Sequence, residues 1–161
     1  MAVFSLKDTT IKIKGGGVAE EVEIKVGDGN ISWTESRELE YLKDRGQLDA
    51  VEETEENPVE VEFTIRWEFF RVVGSITPYD ALTHQNDAAN WATTDQVDPC
   101  GPKSVDIEIA WLPACDTEDQ EIYTLQAFRY TSINPSGTDR QISVSGSCNV
   151  RHVSAARAAR P

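Results

Sequence analysis

Hydrophobic and polar residues alternate along several short stretches of this chain, most regularly from residue 59 to residue 69. Successive side chains of a β-strand point to opposite faces, so this stretch and its extension to residue 73 are predicted to form one long strand. Such a strand buries its apolar face and leaves a mostly acidic face in water. The apolar set is Val59, Val61, Phe63, Ile65, Trp67 and Phe69, and the polar set is Glu60, Glu62, Thr64, Arg66 and Glu68.

Seven other stretches alternate in the same way or are rich in β-branched residues, and we predict them as strands. They are residues 11–14, 21–26, 30–34, 37–43, 104–112, 121–130 and 141–145. The dipeptide Asp28-Gly29 is typical of a type I′ hairpin turn between two of them.

One helix is predicted over residues 77–91, because Thr77 is a suitable N-cap and Pro78 suits the first helical position. Eight short strands and one helix favour a single mainly-β domain spanning residues 1–161. We predict a β-sandwich or partly closed barrel with one flanking helix and a long hairpin loop. Its core is predicted to contain Val61, Phe63, Ile65, Trp67, Trp111 and Phe128.

An acidic loop is predicted over residues 44–57, between two strands. From Gln47 to Asn57 it has no basic residue and little hydrophobicity, so it cannot supply a core of its own. A compact domain rarely keeps such a loop unless the loop binds something. We therefore predict that it is ordered by a partner, through the contact residues Asp44, Arg45, Leu48, Asp49, Val51, Glu52, Glu53, Glu55 and Glu56.

The chain has 15 basic and 28 acidic residues, a formal net charge of −13. This charge argues against direct binding to nucleic acid or to an anionic membrane, since both need a surplus of Lys and Arg. Charge is uneven, however, because residues 151–161 form a basic tail. The tail is interpreted either as a segment that docks on an acidic surface of a neighbouring copy or as a frayed terminus.

No residue set in the sequence suggests catalysis. His84 and His152 belong to no recognisable group of nucleophile, base and orienting residue, and His84 is predicted to face solvent on the helix. The cysteines Cys100, Cys115 and Cys148 lack the close spacing of a zinc site, so we expect them to be reduced and metal-free. The sequence thus predicts a protein that is not an enzyme and needs no cofactor. It begins with nothing like a secretory signal, which favours a cytosolic place of synthesis.

Several segments resemble, in pattern and in order, the major tail tube proteins of long-tailed bacteriophages. They are residues 29–37, 40–49, 58–68, 105–109, 125–130 and 142–150. The resemblance covers most of the chain from Gly29 to Val150. It does not rest on a short diagnostic motif.

The resemblance implies a structural subunit of the virion tail that is assembled in the host cytoplasm. Six copies would form a ring with a continuous inner β-barrel, and stacked rings would form a hollow tube through which DNA passes without specific binding. The acidic loop would then contact the next ring and the polar set at 60–68 would line the pore. The implied partners are further copies of the chain, a tape measure protein, a tail terminator and tip or baseplate proteins.

Three other interpretations stay open at this point. The tubes of contractile injection and type VI secretion systems have related folds, and the sequence alone does not distinguish them from a phage tail tube. A monomeric acidic β-sandwich whose acidic loop recognises a basic partner is the second interpretation. A hydrolase that uses two carboxylates would need them paired in a cleft with perturbed pKa values.

Overall fold

Ten β-strands and one short α-helix make up the described part of the chain, in a computed structural model that describes residues 6–24, 30–67, 75–93, 100–112 and 119–159. The mainly-β class is therefore confirmed. The strands are β1 (Thr9–Lys14), β2 (Glu21–Ile24), β3 (Ile31–Thr34), β4 (Arg37–Asp44), β5 (Gln47–Glu56), β6 (Val59–Arg66), β7 (Val105–Trp111), β8 (Gln120–Ser136), β9 (Gln141–Cys148) and β10 (Ser154–Ala158). The helix is α1 (Pro78–Thr83), and short 3-10 turns lie at Leu6–Asp8 and Asn86–Ala88.

Eight of the strands form one antiparallel sheet in the order β2-β1-β7-β8-β9-β6-β3, with β10 on β8. Strand β8 is the centre of this sheet. Its first half pairs with β7 and β10, and its second half pairs with β9. The strand is irregular at Ala127, which has a φ of 55° and whose N–H donates to the Asp106 carboxylate at 2.9 Å.

Both halves of the sheet contribute to a single core. Buried residues of β1 and β7 belong to the same hydrophobic cluster as buried residues of β6 and β9. The rings of Phe63 on β6 and Phe128 on β8 lie 5.8 Å apart between centroids. A sheet whose two halves share one core must be bent around it.

The residues predicted for the core lie in or against it. Val61, Phe63, Ile65, Trp111 and Phe128 are buried, whereas Trp67 is half-buried and packs against the cluster. Among the described strands the sheet does not close into a barrel, because β2 and β3, at its two ends, each pair on one side only. The predicted extension of the long strand beyond Trp67 and the turn at Asp28-Gly29 lie outside the described residues.

The predicted acidic loop at 44–57 is wrong as a loop. Strands β4 and β5 pair with each other in a separate two-stranded sheet, and the turn between them is Arg45-Gly46, with φ values of 53° and 79°. Positive φ at both central residues is the pattern of a type I′ hairpin turn. The segment is ordered because its backbone hydrogen-bonds to β4. The low hydrophobicity of its side chains does not prevent this backbone pairing.

The helix is shorter than the predicted 77–91. It begins as expected, since Thr77 accepts a hydrogen bond from the Asp80 N–H at 3.2 Å and Pro78 occupies the first turn. It ends at His84, which is left-handed with a φ of 53° and caps the C-terminus. Asn86 is also left-handed, so the helix cannot continue through this segment.

In its described part, residues 151–159, the basic tail is neither frayed nor free to bind elsewhere. Strand β10 is an antiparallel partner of β8, with Ser154 opposite Thr124 and Ala158 opposite Gln120. Arg157 lies 3.5 Å from Glu121 across this pair. The tail completes the sheet of its own chain.

Candidate functional site

The first exposed surface of interest is the hairpin formed by residues Arg37–Glu56. Every residue of both its strands is exposed to solvent. Tyr41 lies opposite Val51 and Lys43 lies opposite Leu48, and Leu39 precedes Tyr41 by two positions on the same side of β4. An apolar strip therefore runs along one side of the hairpin and consists of Leu39, Tyr41, Leu48 and Val51. Its most exposed member is Leu48, whose exposed fraction is 72%.

The other side of the hairpin is acidic. Glu40 lies directly opposite Glu52, a like-charge pair that weakens a two-stranded sheet. Across the whole hairpin there are eight acidic and three basic residues. An isolated two-stranded ribbon is marginally stable at best in water, so this segment gains from contact with another surface.

The base of the hairpin is attached to the segment that follows β9. Arg151 forms ion pairs with Glu53 and with Glu56, the latter at 3.6 Å. Nearby, the Val153 N–H donates to Glu35 Oε1 at 2.8 Å. Two of the predicted contact residues, Glu53 and Glu56, are thus engaged within their own chain, while the tip of the hairpin extends away from these contacts.

The second surface is the polar face of the sheet formed by β3, β6, β9 and β8. Cross-strand partners place Ser32, Glu62, Ser145 and Ser132 in one row. Neighbouring rows have the same character. We call the following residues the polar face: Ser32, Thr34, Glu60, Glu62, Thr64, Arg66, Ser132, Asn134, Ser136, Gln141, Ser143, Ser145 and Ser147.

The polar face is mainly uncharged, unlike the acidic wall predicted from the long strand alone. Its charged members are Glu60, Glu62 and Arg66 on β6, and the three neighbouring strands contribute hydroxyl and amide groups. Part of it forms a shallow depression of about 430 Å³. Glu68, the remaining residue predicted to line a pore, lies outside the described residues.

The serines of β9 were not predicted to belong to this face. Ser143, Ser145 and Ser147 alternate with buried Ile142 and Val144, and pairing with β6 places them beside Thr64, Glu62 and Glu60. The alternation itself was the available signal. The sequence alone does not show which strand lies beside β9.

The third surface is a mainly apolar groove at the end of β6 where the chain leaves the sheet. We call it the end groove. It has a volume of about 360 Å³ and is lined by Arg66, Trp67, Thr77, Pro78, Tyr79, Asp80, Pro135 and Ile142. The hairpin joins β6 at the opposite end, before Val59.

The described part of the chain was also compared with the expectations for metal binding and for the cysteines. No group of three or more His, Cys, Asp or Glu residues there is placed to hold a metal ion. Burial raises the pKa of the Cys148 thiol to about 12, with a smaller effect from Asp106. Cys100 is exposed, and Cys115 lies outside the described residues.

His84 differs from its predicted solvent-facing position. It is half-buried as the C-cap of α1. Burial, followed by the positive charge of Lys103, lowers the pKa of His84, so the neutral imidazole is favoured.

Comparison with known proteins adds no assignment, because no family model matches the chain and no curated protein matches its sequence. Within the described residues, no helix is both long enough and apolar enough to cross a lipid bilayer.

Proposed function

We propose that this chain is a structural subunit of a bacteriophage tail tube. In this proposal six copies form a ring, rings stack into a hollow tube, and DNA passes along the lumen during ejection. The tube would be built around a tape measure protein and would end on terminator and tip or baseplate proteins. The protein would act without a cofactor and without catalysis.

The observation that carries the proposal is the exposed hairpin. A 20-residue segment that presents an apolar strip to water, and has no core of its own, is typical of a surface that is covered in an assembly. The contact residues of the sequence analysis, from Asp44 to Glu56, all lie in this segment. Their role as an inter-ring contact is part of the proposal.

The free strand edges support lateral assembly. In the described part of the chain β2 and β3 each have one unpaired edge, and an open edge is a template for a strand from another copy. Six copies joined in this way would make the continuous inner barrel of the proposal.

The polar face supports a lumen that DNA can slide along. A wall of hydroxyl and amide groups with two glutamates and one arginine per copy offers phosphate few cationic contacts. The polar set Glu60, Glu62, Thr64 and Arg66 would line the pore together with Ser143 and Ser145. This differs from a strongly repelling acidic wall, because most of the surface is neutral.

Electron microscopy of the purified protein tests the proposal. We expect rings or hollow tubes with sixfold symmetry, and we expect moderate salt to favour them, since salt screens the repulsion between copies of charge −13. A protein that stays monomeric at every salt and protein concentration would contradict the proposal and favour the binding module. A micrograph of the parent particle would show whether a contractile sheath surrounds the tube.

A matched pair of variants links assembly to the hairpin. Replacing Leu39, Leu48 and Val51 by Ser removes most of the apolar strip from a fully exposed segment, so the sheet should fold normally while tubes are lost. Val18→Ser, at an exposed apolar residue outside the hairpin, should assemble like the unchanged protein. Normal tubes from the triple variant would show that the hairpin is not the contact.

A further inference from the structure

The hairpin is joined to the sheet by two linkers of two residues each. Residues 35–36 connect β3 to β4, residues 57–58 connect β5 to β6, and among the described strands β4 and β5 pair only with each other. A cavity of about 220 Å³ lies between the second linker and residues 149–151. Linkers this short can act as hinges, because a change in a few backbone angles redirects the whole segment. The direction of the hairpin therefore has to be set by other contacts.

Contacts across this joint come from the segment between β9 and β10. In the described part of the chain, every hydrogen bond and ion pair from the hairpin or its linkers to the rest of the protein involves residues 151–153. Arg151 forms its ion pairs with two glutamates near the end of β5, and its Nε atom is buried at the joint. Glu35, in the first linker, accepts a hydrogen bond from the Val153 N–H, and its second oxygen lies 3.5 Å from the His152 imidazole. One three-residue segment thus contacts the hairpin beside both of its linkers.

The same segment is held on its other side by the core and by β10. Val150 and Val153 are partly buried against the hydrophobic cluster. Ala155 lies opposite Tyr123, whose ring centroid is 5.6 Å from that of Trp33, two residues before the first linker. Four of the five residues of β10 are exposed, so this strand is held mainly by its backbone pairing with β8. The segment that contacts the hairpin continues directly into β10, and its position depends on that pairing.

We infer that residues 149–158 are a strap that couples the hairpin to the tail strand β10. While β10 is paired with β8, residues 151–153 hold the hairpin in one direction. When β10 detaches from β8, these contacts are lost and the hairpin turns on its linkers. A partner that binds the hairpin in the held direction also stabilises β10, because coupling between two sites is reciprocal. This inference goes beyond the proposed function, since it concerns a single copy of the chain.

A change at the hairpin end should be detected at the tail. The double variant Glu35→Ala, Arg151→Met removes the contacts of residues 151–153 with the hairpin and leaves β10 itself unaltered. In dilute, unassembled protein, amide exchange in β10 should become about fivefold faster. Lys12→Met removes an ion pair with Glu21 elsewhere in the sheet and should leave exchange in β10 unchanged. Equal exchange in β10 of the double variant and of the unchanged protein would overturn the inference.

A change at the tail should be detected at the hairpin. Deletion of residues 154–161 removes β10 and keeps the side chains that contact the hairpin. Exchange at residues 53–56 should then be about fivefold faster, the same factor as in the reverse direction. Adding Glu35→Ala and Arg151→Met to the truncated chain should cause no further increase, because the contacts are already lost. Factors that multiply in the combined variant would show that the contacts are independent and would contradict the coupling.

A milder variant keeps the test decisive if the truncated chain does not fold. The double variant Ala155→Gly, Ala156→Gly weakens β10 through its backbone and leaves no cavity, because both side chains are exposed. Exchange at residues 53–56 should rise about twofold in this variant. Arg157→Met, which removes an exposed ion pair with Glu121 and keeps β10 paired, should leave that exchange unchanged. Circular dichroism and thermal unfolding measure the folding of every variant, and a glycine variant that folds without faster exchange in the hairpin would refute the strap.

These outcomes are separate from tube formation. If the unchanged protein never assembles, the proposed function fails, and the exchange measurements on the single chain still decide whether the strap exists. If tubes form but β10 and the hairpin exchange independently, the chain is a tube subunit without a strap.

Discussion

Strands β5 and β6 follow each other in the chain and are both rich in glutamate, yet they are stabilised in different ways. Every residue of β5 is exposed, whereas β6 alternates between buried and outward-facing residues and lies between β3 and β9. Both have paired backbones. Only β6 removes a regular set of apolar side chains from water.

The difference shows that pairing and burial are separate requirements in this fold. Pairing with β4 is enough to give β5 a defined register, but burial is what makes a strand costly to unfold. A region with pairing and no burial opens at a low free-energy cost, as segments used for binding commonly do. The same substitution should therefore cost much less stability in the hairpin than in the sheet.

The strongest test of this comparison introduces an aspartate into each region. Phe63→Asp buries an unpaired charge at a side chain that is 3% exposed, and we expect it to cost more than about 4 kcal/mol and to prevent folding. Leu48→Asp should cost less than about 0.5 kcal/mol, since its site is already in water. Circular dichroism shows whether the Phe63→Asp protein folds, and urea unfolding measures the loss in the Leu48→Asp protein. Similar losses in the two variants would mean that β5 is part of the core or that the faces of β6 are reversed.

Thiol labelling tests how tightly β9 closes the core. Cys148 is buried and its thiol pKa is raised to about 12, so in the native protein it should react at least about a hundredfold more slowly than exposed Cys100 at pH 8. Peptide mapping identifies the labelled cysteine, and labelling in denaturant provides the control. Equal native rates would show that the β6–β9 pair opens as readily as the hairpin.

The same thiol gives a pH dependence with a defined sign. Because the fold favours the protonated form, its contribution to stability is complete below pH 9 and is lost as the pH rises through about 12. Cys148→Ala should therefore reduce the loss of unfolding free energy across this range. An unchanged pH dependence in that variant would contradict the burial of the thiol.

A smaller effect is expected at the hairpin turn. Gly46 has a φ of 79°, which an L side chain adopts only with strain, so Gly46→Ala should weaken the hairpin by about 1 kcal/mol. Amide exchange in β4 and β5 should then be roughly fivefold faster, with β6 and β9 unaffected. Gly137→Ala is the matched control, because an added Cβ meets no atom within 4 Å at either glycine. Faster exchange throughout the sheet would show that the hairpin unfolds together with it.

The smallest effect concerns the ion pairs at the base of the hairpin. Arg151→Met removes the contacts with Glu53 and Glu56, and partly exposed pairs of this kind contribute about 0.5 kcal/mol. Exchange near residues 53–56 should rise about twofold. Arg157→Met, which removes the pair with Glu121 at the edge of the sheet, should leave the hairpin unchanged. If the two variants behave alike, Arg151 does not hold the hairpin.

Prediction from sequence worked where a strand buries one face. The alternation from Val59 to Arg66 identified the core side of β6 and its polar side, and Thr77-Pro78 marked the start of the helix. It failed at β5, whose acidic and weakly hydrophobic sequence was interpreted as a loop, although its equally exposed partner β4 was predicted as a strand. It failed again at β10, whose small and basic residues are ordered by the edge of β8.

The proposed site was predictable only in part for the same reason. The hairpin residues were selected for their acidity, but the apolar strip depends on the register that places Tyr41 opposite Val51. The polar face depends on β9 lying beside β6, and the end groove brings together β6, β8, β9 and the start of α1. Contacts between strands that are distant in the chain leave no local pattern in the sequence.

The strand order also sets the timing of folding. Ile11 pairs with Ile109 and Ser154 pairs with Thr124, so the sheet is completed only after segments that are distant in the sequence have come together. Pairings this distant in sequence make folding slow, on a scale of milliseconds to seconds for sheets of this kind. Before β7 has been synthesised, β1 and β2 lack the strand that pairs with β1 in the finished sheet. Stopped-flow refolding should therefore show one slow phase that involves β1 and β10 together.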